Sequence, residues 1–188
     1  MLELEILVEV FDSYEKACAV LSQFKHIKDN IIVDKYYYDP LRQNLKPNSL
    51  GKTFECLRIR SCENGDIITY KKDVYQNEVW QYSNESETNI EDANVMHSIL
   101  DKLGFKELLE INNYRKYYSF GEYEIVLENV KNLGIFMEVE YKGDLKIHQI
   151  PNKRKEIELF ISNLGLNTSS ELNAGKPELF IKKHKLFL

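Results

Sequence analysis

Glutamates recur two residues apart at three places in this 188-residue chain: Glu3 and Glu5, Glu85 and Glu87, and Glu138 and Glu140. Cations follow a related spacing, with Arg58 and Arg60 in LRIR, Lys71 in TYKK and Arg115 in NYR. In an extended strand, residues i and i+2 point to the same face, so each pair sets two like charges side by side. On a wet surface such pairs are ordinary polar decoration. Gathered on one concave wall they become chemistry, because carboxylate oxygens suit Mg²⁺ or Mn²⁺ and arginine forks suit phosphate oxygens. That combination implies a triphosphate held together with a divalent cation.

The elements that must position these groups are legible from their periods. Residues 2–10, LELEILVEV, alternate: Leu2, Leu4, Ile6, Val8 and Val10 share one face, and Glu3, Glu5, Leu7 and Glu9 the other. Phe54 to Lys72 predicts a hairpin that turns at Glu63-Asn64-Gly65-Asp66, with Leu57 and Ile59 opposed to Arg58 and Arg60. Further strands are expected over 31–39, 78–90, 108–120, 123–130 and 135–141. A helix over 12–24 is expected to be capped by Asp12, and one over 91–103 to bury Val95, Met96, Ile99, Leu100 and Leu103. A third is expected over 152–164, then a short one from near Pro177. Residues 41–52 carry Pro, Asn, Ser and Gly and predict an exposed loop.

Several strands are therefore apolar on one face and charged on the other, with helices available to cover the apolar faces. An inverted arrangement satisfies both: an α+β fold in which a closed antiparallel β-barrel of about eight strands carries helices outside and charges inside. Ionised groups of one sign facing each other in such a space need counter-ions. One domain over 1–188 is expected, with its core over 2–143 and a helical part over 152–188.

The ordered set E-x-E, L-R-I-R, T-Y-K, E-x-E, R-x-x-Y and M-E-V-E over residues 2–143 resembles the CYTH superfamily. These triphosphate tunnel enzymes include class IV adenylyl cyclases, thiamine triphosphatases and inorganic triphosphatases. YYYD at 36–39 and PELF at 177–180 bring the chain nearest to the class IV cyclase-like group. The resemblance implies that Arg58, Arg60, Lys71 and Arg115 grip the triphosphate. It implies catalytic roles for Glu3, Glu5, Glu138 and Glu140, and metal binding by Glu85, Glu87, Glu128, Glu138 and Glu140. The implied reaction turns ATP into cyclic AMP and pyrophosphate with Mg²⁺ or Mn²⁺, the alternatives being triphosphate hydrolysis and a degenerate module that binds nucleotide or polyphosphate without turnover. Two departures stand out. Leu7 occupies the place of the lysine in E-x-E-x-K, and Asn113 that of the lysine in K-x-R. Asn89 replaces a further acidic residue, and Lys52, Lys72 and Lys116 are the candidates to restore the missing charge.

Composition bounds the rest. Hydrophobic residues make up 43% and charged ones 29%, which fits a globular protein, and a net charge of −5 argues against a general nucleic-acid binder. Cys18, Cys56 and Cys62 lack metal-ligand spacing and are expected to be reduced, and the four histidines form no ligand pair. No apolar run is long enough to span a bilayer and no basic-then-apolar leader opens the chain, so a cytoplasmic protein is expected, with a small-molecule partner and a possible homodimer. The competing reading is an antiparallel β protein whose charged faces are merely solvated.

Overall fold

The computed structural model describes residues 2–77 and 79–186. The side chain of Leu2, and Glu78, where one extended segment was expected to begin, lie outside the described residues. Eight strands close into a barrel: β1 (Leu2–Glu9), β2 (Lys25–Tyr38), β3 (Glu55–Cys62), β4 (Gly65–Gln76), β5 (Val79–Ile90), β6 (Lys106–Phe120), β7 (Tyr123–Val130) and β8 (Gly134–Tyr141). Their order around the barrel is β1-β5-β4-β3-β2-β6-β7-β8, and each pairing is antiparallel. Among the described residues there are four α-helices: α1 (Tyr14–Leu21), α2 (Ala93–Lys102), α3 (Ile150–Ser162) and α4 (Lys176–His184).

The inversion expected from the sequence is present. Leu4, Ile6 and Val8 of β1 face outward with Ile125, Leu127, Met137 and Val139, and are covered by Ala17 and Leu21 of α1 and Ile150, Ile157 and Ile161 of α3. The expected hairpin forms with Arg58 opposite Thr69 and Arg60 opposite Ile67. Gly65 leaves its turn at φ +122°, a backbone conformation that side chains other than glycine's rarely adopt.

Three local expectations are corrected. Ser13, not Asp12, caps α1: its hydroxyl accepts from Lys16 N at 3.2 Å, while Asp12 accepts from Asn167 N at 2.7 Å. Strand β2 begins at Lys25 rather than Ile31, because its polar start pairs with the far end of β6, Lys25 opposite Ser119. On α2 only Leu100 is buried; Val95, Ile99 and Leu103 are 56%, 44% and 69% exposed, since the helix rests on β3 along one narrow line. Leu103→Lys is therefore expected to change the unfolding free energy by no more than about 0.5 kcal/mol in urea titration, where a core residue would cost several times that.

The interior is not charged throughout. At the end where β7 turns into β8, Leu7, Tyr36, Ile111, Val130, Leu133 and Phe136 form an apolar cluster, and Ile181 of α4 is fully buried in it. The helix expected near Pro177 is thus a stopper in one end of the barrel. The chain leading to it also repairs a seam. Among the described residues, strand β1 pairs with β5 at Leu2–Asn84 and Glu3–Ser83. Beyond that point the edge of β1 is taken by the tail, with Ser169 N donating to Glu9 O at 2.9 Å and Leu172 N to Leu7 O at 3.0 Å.

Candidate active site

The barrel encloses a cavity of about 260 Å³. Alternation along β1, β3, β4, β5, β6 and β8 brings Glu3, Glu5, Arg58, Arg60, Lys71, Glu85, Glu87, Arg115, Glu138 and Glu140 to its wall, ten of the eleven residues marked out in the sequence. Glu128 does not reach it. That residue is fully buried, with Asn113 Nδ2 and Arg115 on one oxygen and Lys176 Nζ on the other at 2.7 Å. It was expected among the metal ligands; in this structure its oxygens receive the Asn113 amide, Arg115 and Lys176.

The cations differ in how free they are. Arg60 is bound in a fork to Asp34, at 2.7 and 2.8 Å, and Asp34 is itself buried. Although burial acts to raise it, the guanidinium groups of Arg60 and Arg58 hold the Asp34 carboxyl below the usual carboxylate range. Arg58 is the least engaged. It donates to Thr69 Oγ1 at 3.1 Å, and its Nε, 4.0 Å from Asp34, makes no hydrogen bond. Lys71 sits among three carboxylates, Glu5 at 2.9 Å, Glu85 at 3.0 Å and Glu3 at 3.6 Å.

Sequence reasoning missed two of the groups that organise this wall. Asp34 was an acid inside an apolar strand, IIVDKYYY, and a charge in that setting is itself a signal of a buried partner. Lys176 carried no such signal. It opens α4, lies far from the motifs in sequence, lines the cavity, and places Nζ on both the buried Glu128 and Glu138. The lysines expected to restore charge do not do so: Lys72 pairs with Glu55, Lys116 with Asp29, and Lys52 lies over the Tyr75 ring at 3.8 Å.

Ten acidic and six basic side chains line the cavity. A bare triphosphate would meet a wall of its own sign, so a divalent cation must accompany it. The oxygen donors fit such a cation in type, although among the described residues no three acidic, His or Cys side chains already converge as a cage. Burial, with Glu85, Glu5 and Glu140 nearby, raises the Glu3 carboxyl to about 8 against the pull of Lys71. Burial likewise raises Glu140 to about 7 and Glu178 of α4 to about 7.

These raised values set the pH dependence of the metal-free protein. A carboxyl whose folded pKa lies above its unfolded value near 4.5 stabilises the fold at low pH, and that contribution is lost as pH rises through about 7 to 8. Asp34 and Glu138, held low by their cations, act in the opposite sense and lose their contribution only in acid. The melting temperature in chelator should therefore fall between pH 6 and pH 8.5, and Glu3→Gln should flatten the fall. A flat or rising wild-type profile would refute this assignment.

The CYTH domain family model matches residues 1–174. The chain belongs to the CYTH domain family. A Methanocaldococcus jannaschii protein provisionally named an adenylate cyclase is 31% identical over 172 residues, 91% of this chain and 93% of that one. Among solved structures, a Pyrococcus horikoshii protein superposes with a TM-score of 0.78 at 26% identity, covering 96% of this chain and 99% of that one. A Hippeastrum protein provisionally called an adenylyl cyclase, and described as having a dominant triphosphatase activity, shares the fold with a TM-score of 0.66 at 18% identity, over 99% and 97% of the two chains. Among the described residues of this CYTH protein, no helix is long and apolar enough to cross a membrane.

Proposed function

We propose that this protein is a divalent-metal-dependent enzyme acting on the triphosphate of ATP or of a related polyphosphate inside the barrel, with conversion of ATP to cyclic AMP and pyrophosphate as its first reaction. The observation that carries the reading is the convergence of Arg58, Lys71 and Arg115 with the carboxylates of Glu3, Glu5 and Glu140 around one cavity. Arg58 and Arg115 bind non-bridging phosphate oxygens, and Arg60, oriented by Asp34, supports the same face. Glu3, Glu5, Glu85 and Glu87 would hold Mg²⁺ or Mn²⁺, which supplies charge neutralisation when bound. Glu140, poised near neutral, accepts the proton of the ribose 3′-hydroxyl as its oxygen attacks the α-phosphorus and the bond to the departing pyrophosphate breaks. The name of the 31%-identical relative supports this reaction.

Hydrolysis is the second reading, and a specific feature favours it. The 260 Å³ cavity lies below the roughly 300–1,000 Å³ of pockets that enclose a drug-sized ligand, and α4 stops one end of the barrel. Such a space encloses the phosphates and leaves a nucleoside at the mouth, where a 3′-hydroxyl is harder to bring in line. Here the same carboxylate takes its proton from water.

Incubation with ATP, and separately with tripolyphosphate, each with Mg²⁺, Mn²⁺ or chelator, distinguishes these readings. Cyclic AMP with pyrophosphate is the expected product pair, and orthophosphate from either substrate establishes the hydrolase. Neither turnover nor metal-dependent binding of either compound would overturn the proposal.

A further inference from the structure

Lys71 of β4 reaches across two neighbouring strands. In the β4–β5 ladder it stands opposite Glu85, and its Nζ lies 3.0 Å from that carboxylate. It also meets β1, at 2.9 Å from Glu5 and 3.6 Å from Glu3. All four side chains line the cavity and are between 10% and 23% exposed. A single ammonium therefore sits among three of the carboxylates assigned above to the divalent cation. Such a cation draws oxygen ligands to about 2.1 Å, whereas the ammonium spaces them at hydrogen-bond length or more. Held in this way the acids stand apart, and among the described residues no group of them has closed into a cage. Lys142, a second cation of the same cavity, pairs with different acids, Glu140 and Glu124.

We propose that Lys71 is a built-in competitor of the divalent cation: in the ligand-free barrel its ammonium occupies the place among Glu3, Glu5 and Glu85, and the site opens to metal when a triphosphate draws the lysine away. This rests on the triphosphate reading above. Two positive charges cannot share the same carboxylates at these distances without strong repulsion, so metal arriving alone must first strip Lys71 of its partners. A polyphosphate changes the balance. Its oxyanions take the ammonium in exchange, and the three carboxylates are released to the metal that accompanies it. Until then the lysine steadies the empty cavity, where three neighbouring acids would otherwise repel one another. The barrel thereby selects the metal–polyphosphate complex over the free metal.

Binding of Mn²⁺ alone, followed by electron paramagnetic resonance, tests this without turnover. The wild type should bind Mn²⁺ weakly. Lys71→Met should bind it at least about tenfold more tightly, because a unit charge beside the carboxylates has gone. Lys71→Gln keeps a donor for the carboxylates and loses the charge, so it should gain similarly and provides a second variant should the methionine fail to fold. Mn²⁺ should also raise the melting temperature of both variants more than that of the wild type. Lys142→Met removes a charge from the same cavity but not from these acids, and should gain little. Natively melting Lys71→Met and Lys71→Gln that bind Mn²⁺ no more tightly than the wild type overturn the proposal. An equal gain in Lys142→Met overturns it too, because the lysine would then act only through the general charge of the cavity. Wild type saturated by stoichiometric Mn²⁺ without triphosphate overturns it with no variant needed. In each of these cases, calorimetric binding of magnesium tripolyphosphate by the wild type leaves the triphosphate reading intact. Its absence removes that reading, and this inference with it.

Discussion

Glu128→Ala should lower the unfolding free energy by about 3–5 kcal/mol, the cost of breaking a buried ion pair from one side. Glu128 has no exposure to solvent and is shared by Asn113, Arg115 and Lys176. Its removal leaves a guanidinium and an ammonium facing each other in a space that water cannot easily reach, with only Glu138 between them. Coulomb repulsion and an unsatisfied donor set then act together, which places the effect well above the ±0.5 kcal/mol of an ordinary surface change. Urea unfolding monitored by near-ultraviolet circular dichroism measures it. A loss below about 1 kcal/mol would show that the two cations find water or other acceptors, and that the buried cluster is looser than its geometry. Glu128→Gln should lie between, since it keeps the acceptor oxygen and loses the charge.

The second large effect is on chemistry rather than on stability. Arg58→Ala should reduce kcat/KM for ATP or tripolyphosphate by about 10²- to 10³-fold, the range seen when one fixed donor to a developing charge is deleted. Arg58 is the cation best able to serve a ligand because the protein satisfies it least, with one neutral acceptor and an Nε that makes no hydrogen bond and only faces a carboxylate 4.0 Å away. For that reason its removal should cost the fold little, and the melting temperature should hold or rise. Arg60→Ala should behave differently, because it strands the buried Asp34 and so destabilises the protein as well. Comparable activity in Arg58→Ala and the wild type would mean that the charged wall is not where the substrate sits.

Much of this site could be read from spacing alone, and the reason is geometric. Period two fixes which side chains share a face, and helices that need an apolar partner decide which face turns outward. Glu3 with Glu5, Arg58 with Arg60, and Glu138 with Glu140 therefore arrived at the cavity together. What escaped was whatever depends on contacts between distant parts of the chain. Asp34 shows no partner in its own segment, and the residue it holds, Arg60, is 26 positions away. Lys176 joins Glu128 across 48 positions. Leu7 was recognisable as a departure from E-x-E-x-K, but its purpose lies in Ile181, which local periodicity cannot connect to it. The stripe on α2 erred the other way. Helical spacing predicts amphipathicity, yet the neighbouring sheet offered a surface for Leu100 and not for Ile99 or Leu103.

The seam between β1 and β5 bears on how the molecule is made. Two residue pairs among the described residues are a slender join, and the rest of that edge waits for residues 167–172, some 160 positions further along the chain in the case of Glu9 and Ser169. Until those residues leave the ribosome, the nascent sheet carries an open margin of unpaired amides and carbonyls, a template for any passing strand. Contacts so far apart in sequence are slow to form because the intervening chain must first give up its freedom. Closure of this barrel is thus a late event in its biogenesis, and a chain halted before residue 167 should be the form that chaperones retain and that aggregates when they do not.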